Sequence, residues 1–312
     1  MKQITMQELK IPSCDGVHTL SGRVYLPETY PAEPPRGLFQ VVHGMSEYIG
    51  RYDAFMRAMA AEGYVVFGYD HLGHGATAKD ASELGYIAEK NGWDLLCRDV
   101  KTAYDHVRGL YGDLPYVLMG HSMGSFIVRL AAERYVRPSR LLIMGTGGPN
   151  PAAGAGLALV GLIKGLRGDK HVSRLVAGLA MGSYNQRFKE EKDEYAWLST
   201  DASLRDAYRK DPLCGFPFTT SAMGDLIRLT KLCNRSGWFS ALPKDLPILL
   251  VSGAEDPVGG NGAGVRTVER KLKKAGHRVT CHLYTGARHE ILNDLCKEDV
   301  IRDIRQFTNQ SL

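Results

Sequence analysis

The run Tyr116-Val117-Leu118-Met119-Gly120-His121-Ser122-Met123-Gly124 decides how the rest of the chain is read. Tyr116 to Met119 is a short apolar segment of the strand type, and Met123 to Tyr135 reads as a helix. A Gly-x-Ser-x-Gly string between a strand and a helix has the context of a nucleophile elbow. The turn is sharp, so glycines at 120 and 124 let the backbone pass closely while the Ser122 hydroxyl projects above the sheet. By itself the string also fits a glycine-containing helix start capped by a serine. The flanking chain has to choose between the two.

Outward from the elbow, short runs rich in Val, Ile, Leu and Tyr alternate with longer helical patterns, as in a mostly parallel sheet with crossover helices. Upstream, Met6 to Ile11 and Thr19 to Leu26 flank the turn cluster Ser13-Cys14-Asp15-Gly16 and read as an antiparallel hairpin at a sheet edge. Gly37 to Val42 is a strand, Arg51 to Glu62 a helix and Tyr64 to Tyr69 a strand. Trp93, Leu96, Val100, Ala103 and Val107 then recur at helical spacing within Gly92 to Leu110, and that stripe is core. Downstream, Leu141 to Met144 is a strand, after which the rhythm stops from Gly147 to Asp245. It resumes with a strand at Pro247 to Val251, a helix near Val265 to Ala275, a strand at Val279 to Tyr284 and a last helix from Asn293 to Phe307. The expected fold class is α/β, a mostly parallel sheet of about eight strands flanked by helices. Residues 1–148 and 246–312 form its core, and residues 149–245 are an inserted helical cap.

Composition narrows the function classes. The chain has 312 residues, 44% hydrophobic and 23% charged, enough for a large core and unlike a disordered chain. The net charge of +5 has no concentrated basic stripe, which argues against nucleic acid as a partner. Six cysteines lie far apart with no Cys-x-x-Cys pair, so free thiols in a reducing cytosol are expected rather than a zinc ribbon or a dithiol motif. Met1 to Lys10 carries charges at Lys2, Glu8 and Lys10 and no apolar run, unlike a secretory signal. Leu141 to Ile163 is uncharged and long enough for a bilayer, but Gly147, Gly148, Pro149, Pro151, Gly154 and Gly156 interrupt it.

A serine hydroxyl becomes a nucleophile when a histidine, oriented by a carboxylate, takes its proton. On this type of fold the chain order is Ser, acid, His. Asp256 follows the strand Pro247 to Val251, and His289 follows the last strand, both at the sheet edge where ligands meet an open parallel sheet. Glu255 is the rival acid, and His277 and His282 are the rival bases; an extended turn points Glu255 away, and the two histidines fall in a polar turn and inside a strand. The tetrahedral intermediate needs two N–H donors. Met123, next after the serine, supplies one, and Met45, in His43-Gly44-Met45 after an earlier strand, supplies the other. His71 and His74 have metal-like spacing without a third ligand nearby, so no metal is expected. Gly259 to Gly264 lies in the wrong place for a dinucleotide loop and reads as the loop that seats Asp256. Arg270 to Lys274 is a solvated helix face.

Together, His43-Gly44-Met45-Ser46-Glu47 with Gly50-Arg51-Tyr52, Asp70-His71-Leu72-Gly73-His74-Gly75, Gly120-His121-Ser122-Met123-Gly124, Asp256-Pro257 and Arg288-His289-Glu290 resemble the α/β-hydrolase superfamily. More narrowly they resemble its monoacylglycerol lipase and lysophospholipase branch, often catalogued with serine aminopeptidases. The resemblance spans about residue 37 to 310. It implies Ser122 as nucleophile, Asp256 as acid, His289 as base, Met45 and Met123 as oxyanion donors, and no cofactor. The mammalian lipase pattern has a second Gly and a His around Glu47, where this chain has Ser46 and Tyr48.

Between Pro149 and Asp245 stand fourteen Lys/Arg and ten Asp/Glu, so nearly all of the net charge belongs to the insertion. Leu159, Leu162, Ile163 and Leu166 share one side of a helix there and Lys164, Arg167 and His171 the other, which suits a cap that forms an acyl-chain pocket and touches lipid transiently. Gly161 and Gly165 weaken that helix. A small-molecule lipid or ester substrate is therefore expected, with no obligate protein partner. The alternatives are a general carboxylesterase, or a serine aminopeptidase whose Glu47 or Glu190 faces the cleft. From another class comes a ligand receptor on a hydrolase scaffold, against which the intact triad argues. A dehalogenase is excluded because it needs an aspartate where Ser122 stands.

Overall fold

The computed structural model describes residues 4–310. Its frame is one eight-stranded sheet, in the spatial order β1 (Thr5–Pro12), β2 (Thr19–Leu26), β4 (Tyr64–Tyr69), β3 (Gly37–Val42), β5 (Tyr116–His121), β6 (Arg140–Met144), β7 (Ile248–Gly253) and β8 (Val279–Tyr284). β1 and β2 pair antiparallel as the expected hairpin, and β2 meets β4 antiparallel. All later pairings are parallel, so β3 to β8 present their C-terminal ends along one edge. β3, β4, β5, β6 and β7 are buried along their whole length, which explains why they read as continuous apolar runs rather than alternating ones. The alternation survives in what each residue packs against. Leu38, Val42, Leu118, Ile143 and Leu250 face one helical layer, and Phe39, Val41, Met119, Leu142 and Leu249 face the other.

The second of these layers holds α1 (Asp53–Ala60) and α10 (Lys297–Asn309); the first holds α2 (Gly92–Tyr111), α3 (Met123–Arg134) and α9 (Ala263–Lys274). In α2 the stripe Leu96, Val100, Ala103 and Val107 is buried as its spacing requires. Two helix starts differ from the sequence reading. Ile49–Tyr52 is a 3₁₀ turn before α1. The last helix begins at Lys297 rather than Asn293, because the Asp294 carboxylate is spent on the backbone N–H groups of Arg288 and Leu295 and holds a turn there.

The segment between β6 and β7, expected as an insertion, contains α4 (Ala153–Arg167), α5 (Arg174–Met181), a 3₁₀ turn at Gln186–Glu191, α6 (Ala202–Lys210), α7 (Thr220–Cys233) and α8 (Trp238–Ala241), with no strand among the described residues. Its last part is not peripheral. α7 packs on α2 and α3, and the fully buried Trp238 donates its indole N–H to the Arg129 carbonyl at 2.7 Å. Arg129, itself buried in α3, donates to Asn234 at 3.0 Å and to the Cys233 carbonyl at the C-terminal end of α7, where the helix dipole favours a cation.

All six cysteines are free thiols, buried or half-buried. Among the described residues no helix is long and apolar enough to cross a membrane, and Leu141 to Ile163 is divided between β6, a loop and the start of α4. Of the segment Met1 to Lys10, residues 1–3 lie outside the described residues, and the strand β1 begins at Thr5.

Candidate active site

Ser122 sits between β5 and α3 with φ +54° and ψ −122°, a conformation that side-chain-bearing residues rarely adopt. The turn is held by the Ser122 N–H donating to the Met144 carbonyl (3.0 Å) and the Ser122 carbonyl accepting from the Ser125 N–H (2.9 Å). The flanking glycines are required by space. A Cβ at Gly120 would lie 2.2 Å from the Gly124 carbonyl oxygen, and one at Gly124 would lie 2.1 Å from that of Val42. The capping reading of Ser122 fails, since its side chain makes no cap hydrogen bond.

Asp256 and His289 meet across the ends of β7 and β8. The His289 Nδ1–H donates to Asp256 Oδ2 at 2.9 Å, with both side chains buried. Asp256 also accepts from Ser252 Oγ (3.1 Å) and from the Val258 N–H (2.9 Å), the latter in the glycine-rich loop that seats it. Burial would raise the Asp256 pKa, but the His289 imidazole and these hydrogen bonds outweigh it and hold the carboxyl below the usual range. The site packs closely: a Cβ at Gly145 would lie 3.2 Å from His289 Cε1, and one at Gly44 would lie 3.0 Å from Ser122 Cβ. The rivals lie elsewhere. Glu255 is partly exposed and faces Arg187 at 3.9 Å, His277 bonds the Phe239 carbonyl, and the half-buried His282 lies opposite Asp303.

Met123 opens α3, so its N–H has no intrahelical acceptor. Met45 has no backbone acceptor among the described residues, while its side chain packs on the core. The peptide that carries the Met45 N–H is fixed by His43. The His43 Nδ1–H donates to the Gly44 carbonyl at 2.8 Å, and in a trans peptide this turns the Met45 N–H the opposite way. His43 Nε2 accepts from the His71 N–H (3.0 Å), and His71 Nε2–H donates back to the His43 carbonyl (3.1 Å). His74 donates from Nδ1 to the Leu72 carbonyl and accepts the Ser46 N–H at Nε2. The metal-like spacing of His71 and His74 thus serves backbone positioning. Burial pushes the pKa of all three histidines down, that of His74 to about 3.

Two features were not legible in the motifs. Beneath the site, Glu47 accepts from the Gly44 N–H (2.6 Å), the Tyr52 hydroxyl (2.8 Å) and Arg51 (2.8 Å), and Arg51 makes a bidentate pair with Glu290 at 2.7 and 2.6 Å. His121 joins this network through Tyr52 (2.8 Å) and donates from Nε2 to the His289 carbonyl (3.2 Å). Burial disfavours a charged His121, but the Glu47 carboxylate outweighs that and raises its pKa. Glu47 is therefore no free acid facing a cleft, and Glu190 is exposed on the 3₁₀ turn of the insertion. Above the site, Trp197 of the insertion lies over His289 at 5.1 Å between ring centroids, and its neighbour Leu198 accepts the Glu290 N–H at 2.7 Å. The nearest signal for Trp197 is an aromatic in a segment without periodicity, which names no partner.

The chain is similar to known lipases and esterases. A monoacylglycerol lipase of Mycolicibacterium smegmatis is 26% identical over 95% of this chain and 98% of its own. The human monoglyceride lipase is 27% identical over 90% and 84%. Among solved structures, a highly thermostable carboxyl esterase from Bacillus coagulans superposes with a TM-score of 0.91 at 31% identity, over 98% of this chain and 99% of that one. The family model for serine aminopeptidase, S33, matches residues 33–296, a span that includes Ser122, Asp256 and His289. The chain therefore belongs to the serine aminopeptidase S33 family of α/β-hydrolases.

Proposed function

We propose that the protein hydrolyses carboxylic esters through an acyl-enzyme on Ser122, with monoacylglycerol or lysophospholipid as the substrate class. The observation that carries the reading is the buried His289–Asp256 pair together with Ser122 in elbow geometry, next in the chain to His121, which bonds the His289 carbonyl. Because Nδ1–H is committed to Asp256, Nε2 is the free base. His289 Nε2 takes the Ser122 proton, Oγ attacks the carbonyl carbon, and the oxyanion is held by the Met45 and Met123 amides. His289 then gives the proton to the leaving alcohol and activates water to release the acid. No step requires a cofactor. The lipases and the esterase among the relatives support esters over peptides. The aminopeptidase alternative needs an acid for the substrate ammonium, and Glu47 is already spent on Arg51, Tyr52 and Gly44.

We further propose residues 149–245 as the cap, with 149–219 as its covering part, since α7 and α8 pack into the core. Ser122→Ala should lower ester turnover by at least about 10³-fold with the folded state intact. Near wild-type turnover in that variant would remove the assignment, whereas slow residual hydrolysis would not. A panel of esters of rising chain length, a monoacylglycerol, a lysophospholipid and an aminoacyl amide separates lipase, carboxylesterase and peptidase.

A further inference from the structure

Ser46 and Tyr48, the two residues that depart from the mammalian lipase pattern, are both bonded to the insertion. The Ser46 carbonyl accepts from the Gly215 N–H (2.9 Å) and the Tyr208 hydroxyl (3.0 Å), and the Ser46 hydroxyl donates to the Phe216 carbonyl (2.7 Å). The Tyr48 hydroxyl donates to Asp211 at 2.9 Å. On its other side, the Ser46 N–H is taken by His74 Nε2 at 3.2 Å. Every polar group of Ser46 is thus engaged, and all but one of these bonds run to residues 208–216.

The backbone geometry gives these bonds a consequence. Ser46 has φ +53°, in the left-handed region, which costs a residue with a side chain about 1–2 kcal/mol. A conformation of that kind persists where the surroundings over-determine it. The Gly44 N–H is fixed by Glu47 and the Gly44 carbonyl by His43, while the peptides on both sides of Ser46 are fixed by His74 and by the 208–216 segment. The peptide that carries the Met45 N–H is therefore fixed at its own Gly44 carbonyl by His43, its two neighbouring planes are clamped by Glu47 and His74, and the next plane, at the Ser46 carbonyl, is clamped by residues 208–216.

We propose that residues 208–216 form a strap that positions the Met45 amide through Ser46, with Ser46 and Tyr208 as positioning residues for the oxyanion pocket. The proposal rests on the ester-hydrolase reading above. It makes the insertion part of the catalytic geometry as well as a cover for the substrate.

The test uses Ser46→Gly, Tyr208→Phe and their combination in the full chain. Glycine accepts the positive φ, so the first variant removes the hydroxymethyl group and its bond to the Phe216 carbonyl without forcing the loop out of its conformation, and the second keeps the ring that packs under Arg51. Rates on p-nitrophenyl butyrate are taken per active site, counted by complete labelling with a fluorophosphonate. Each single variant should lower kcat about 10-fold with KM within about twofold, as expected when a donor is misplaced rather than removed. Inhibition by an alkyl trifluoromethyl ketone, which loads the oxyanion pocket, should weaken by a similar factor, and the double variant should lose less than the product of the singles. Wild-type kcat in both single variants, or a loss seen only in KM, would overturn the strap. A wild-type enzyme that neither labels at Ser122 nor turns over ester would instead remove the hydrolytic reading itself.

Discussion

At the residue scale the site depends on positions where a side chain cannot exist. Gly120, Gly124 and Gly44 are read from sequence as elbow and loop glycines, and the distances show why: the elbow folds back against the ends of β3 and β5 with no room for a methyl group. Gly124→Ala would set a Cβ 2.1 Å from the Val42 carbonyl oxygen and 2.6 Å from that of His43. Both contacts are backbone, so relief requires moving β3 against α3. The expected outcome is a loss of about 3 kcal/mol or more in urea unfolding together with loss of ester turnover; unchanged stability would show that the elbow is looser than described. Ser122, Asp256 and His289 are legible as candidates because topology orders them along the chain, and the structure pairs the last two at 2.9 Å. Trp197 and the Glu47–Arg51–Glu290 network are not legible, since their partners lie far away in sequence and no local pattern names them.

At the element scale the insertion divides into a fixed and a more exposed part. Ala196, Trp197 and Leu198 are stitched to the loop of His289, and residues 208–216 to that of Ser46. α4 runs unbroken through Gly161 and Gly165, because Val160 and Ile163 pack inward and tertiary contact offsets the weak propensity. The apolar stripe read from the sequence is split by that packing. Leu159 and Ile163 face the protein, whereas Leu162 and Leu166 point to solvent, and in α5 so do Leu175 and Leu179. Lys164 is not on a free polar face either, since its ammonium is bonded to the Glu89 carbonyl. We propose these exposed leucines as the part of the cap that touches lipid. Replacing Leu162 and Leu166 by Ser should lower partitioning onto phospholipid vesicles about 10-fold or more, and removing Arg167 should weaken it on anionic vesicles only. Equal binding by all variants in co-sedimentation would remove the contact, and equal wild-type binding to anionic and neutral vesicles would remove its electrostatic part.

At the scale of the whole molecule, the histidines beside the Gly44–Glu47 loop link folding to pH. His43, His71 and His74 are buried neutral with depressed pKa values, so an unfolded chain takes up protons that the folded one refuses. Their contribution is present above the unfolded value of about 6.5 and is lost as pH falls below it, at up to about 1.4 kcal/mol per pH unit for each histidine. His121 has the opposite sign: its pKa is raised, so its contribution is complete below about 6.5 and is lost as pH rises through the folded value. Urea unfolding from pH 5 to 9 should show maximum stability near neutrality and a steeper fall on the acid side. A flat profile between pH 5 and 7 would mean that these histidines are solvated or charged in the folded state. The strands, the elbow and loop glycines and the chain order of the three candidate residues are read from sequence alone, because apolar period, turn chemistry and chain order are local or sequential properties. Which face of α4 meets water, the pairing of Glu47 with Arg51, the seat of Trp197 over His289 and the bonds from Ser46 to residues 208–216 were decided only by tertiary structure. Each joins groups far apart in the chain, and their energies depend on burial and distance, which a linear pattern does not carry.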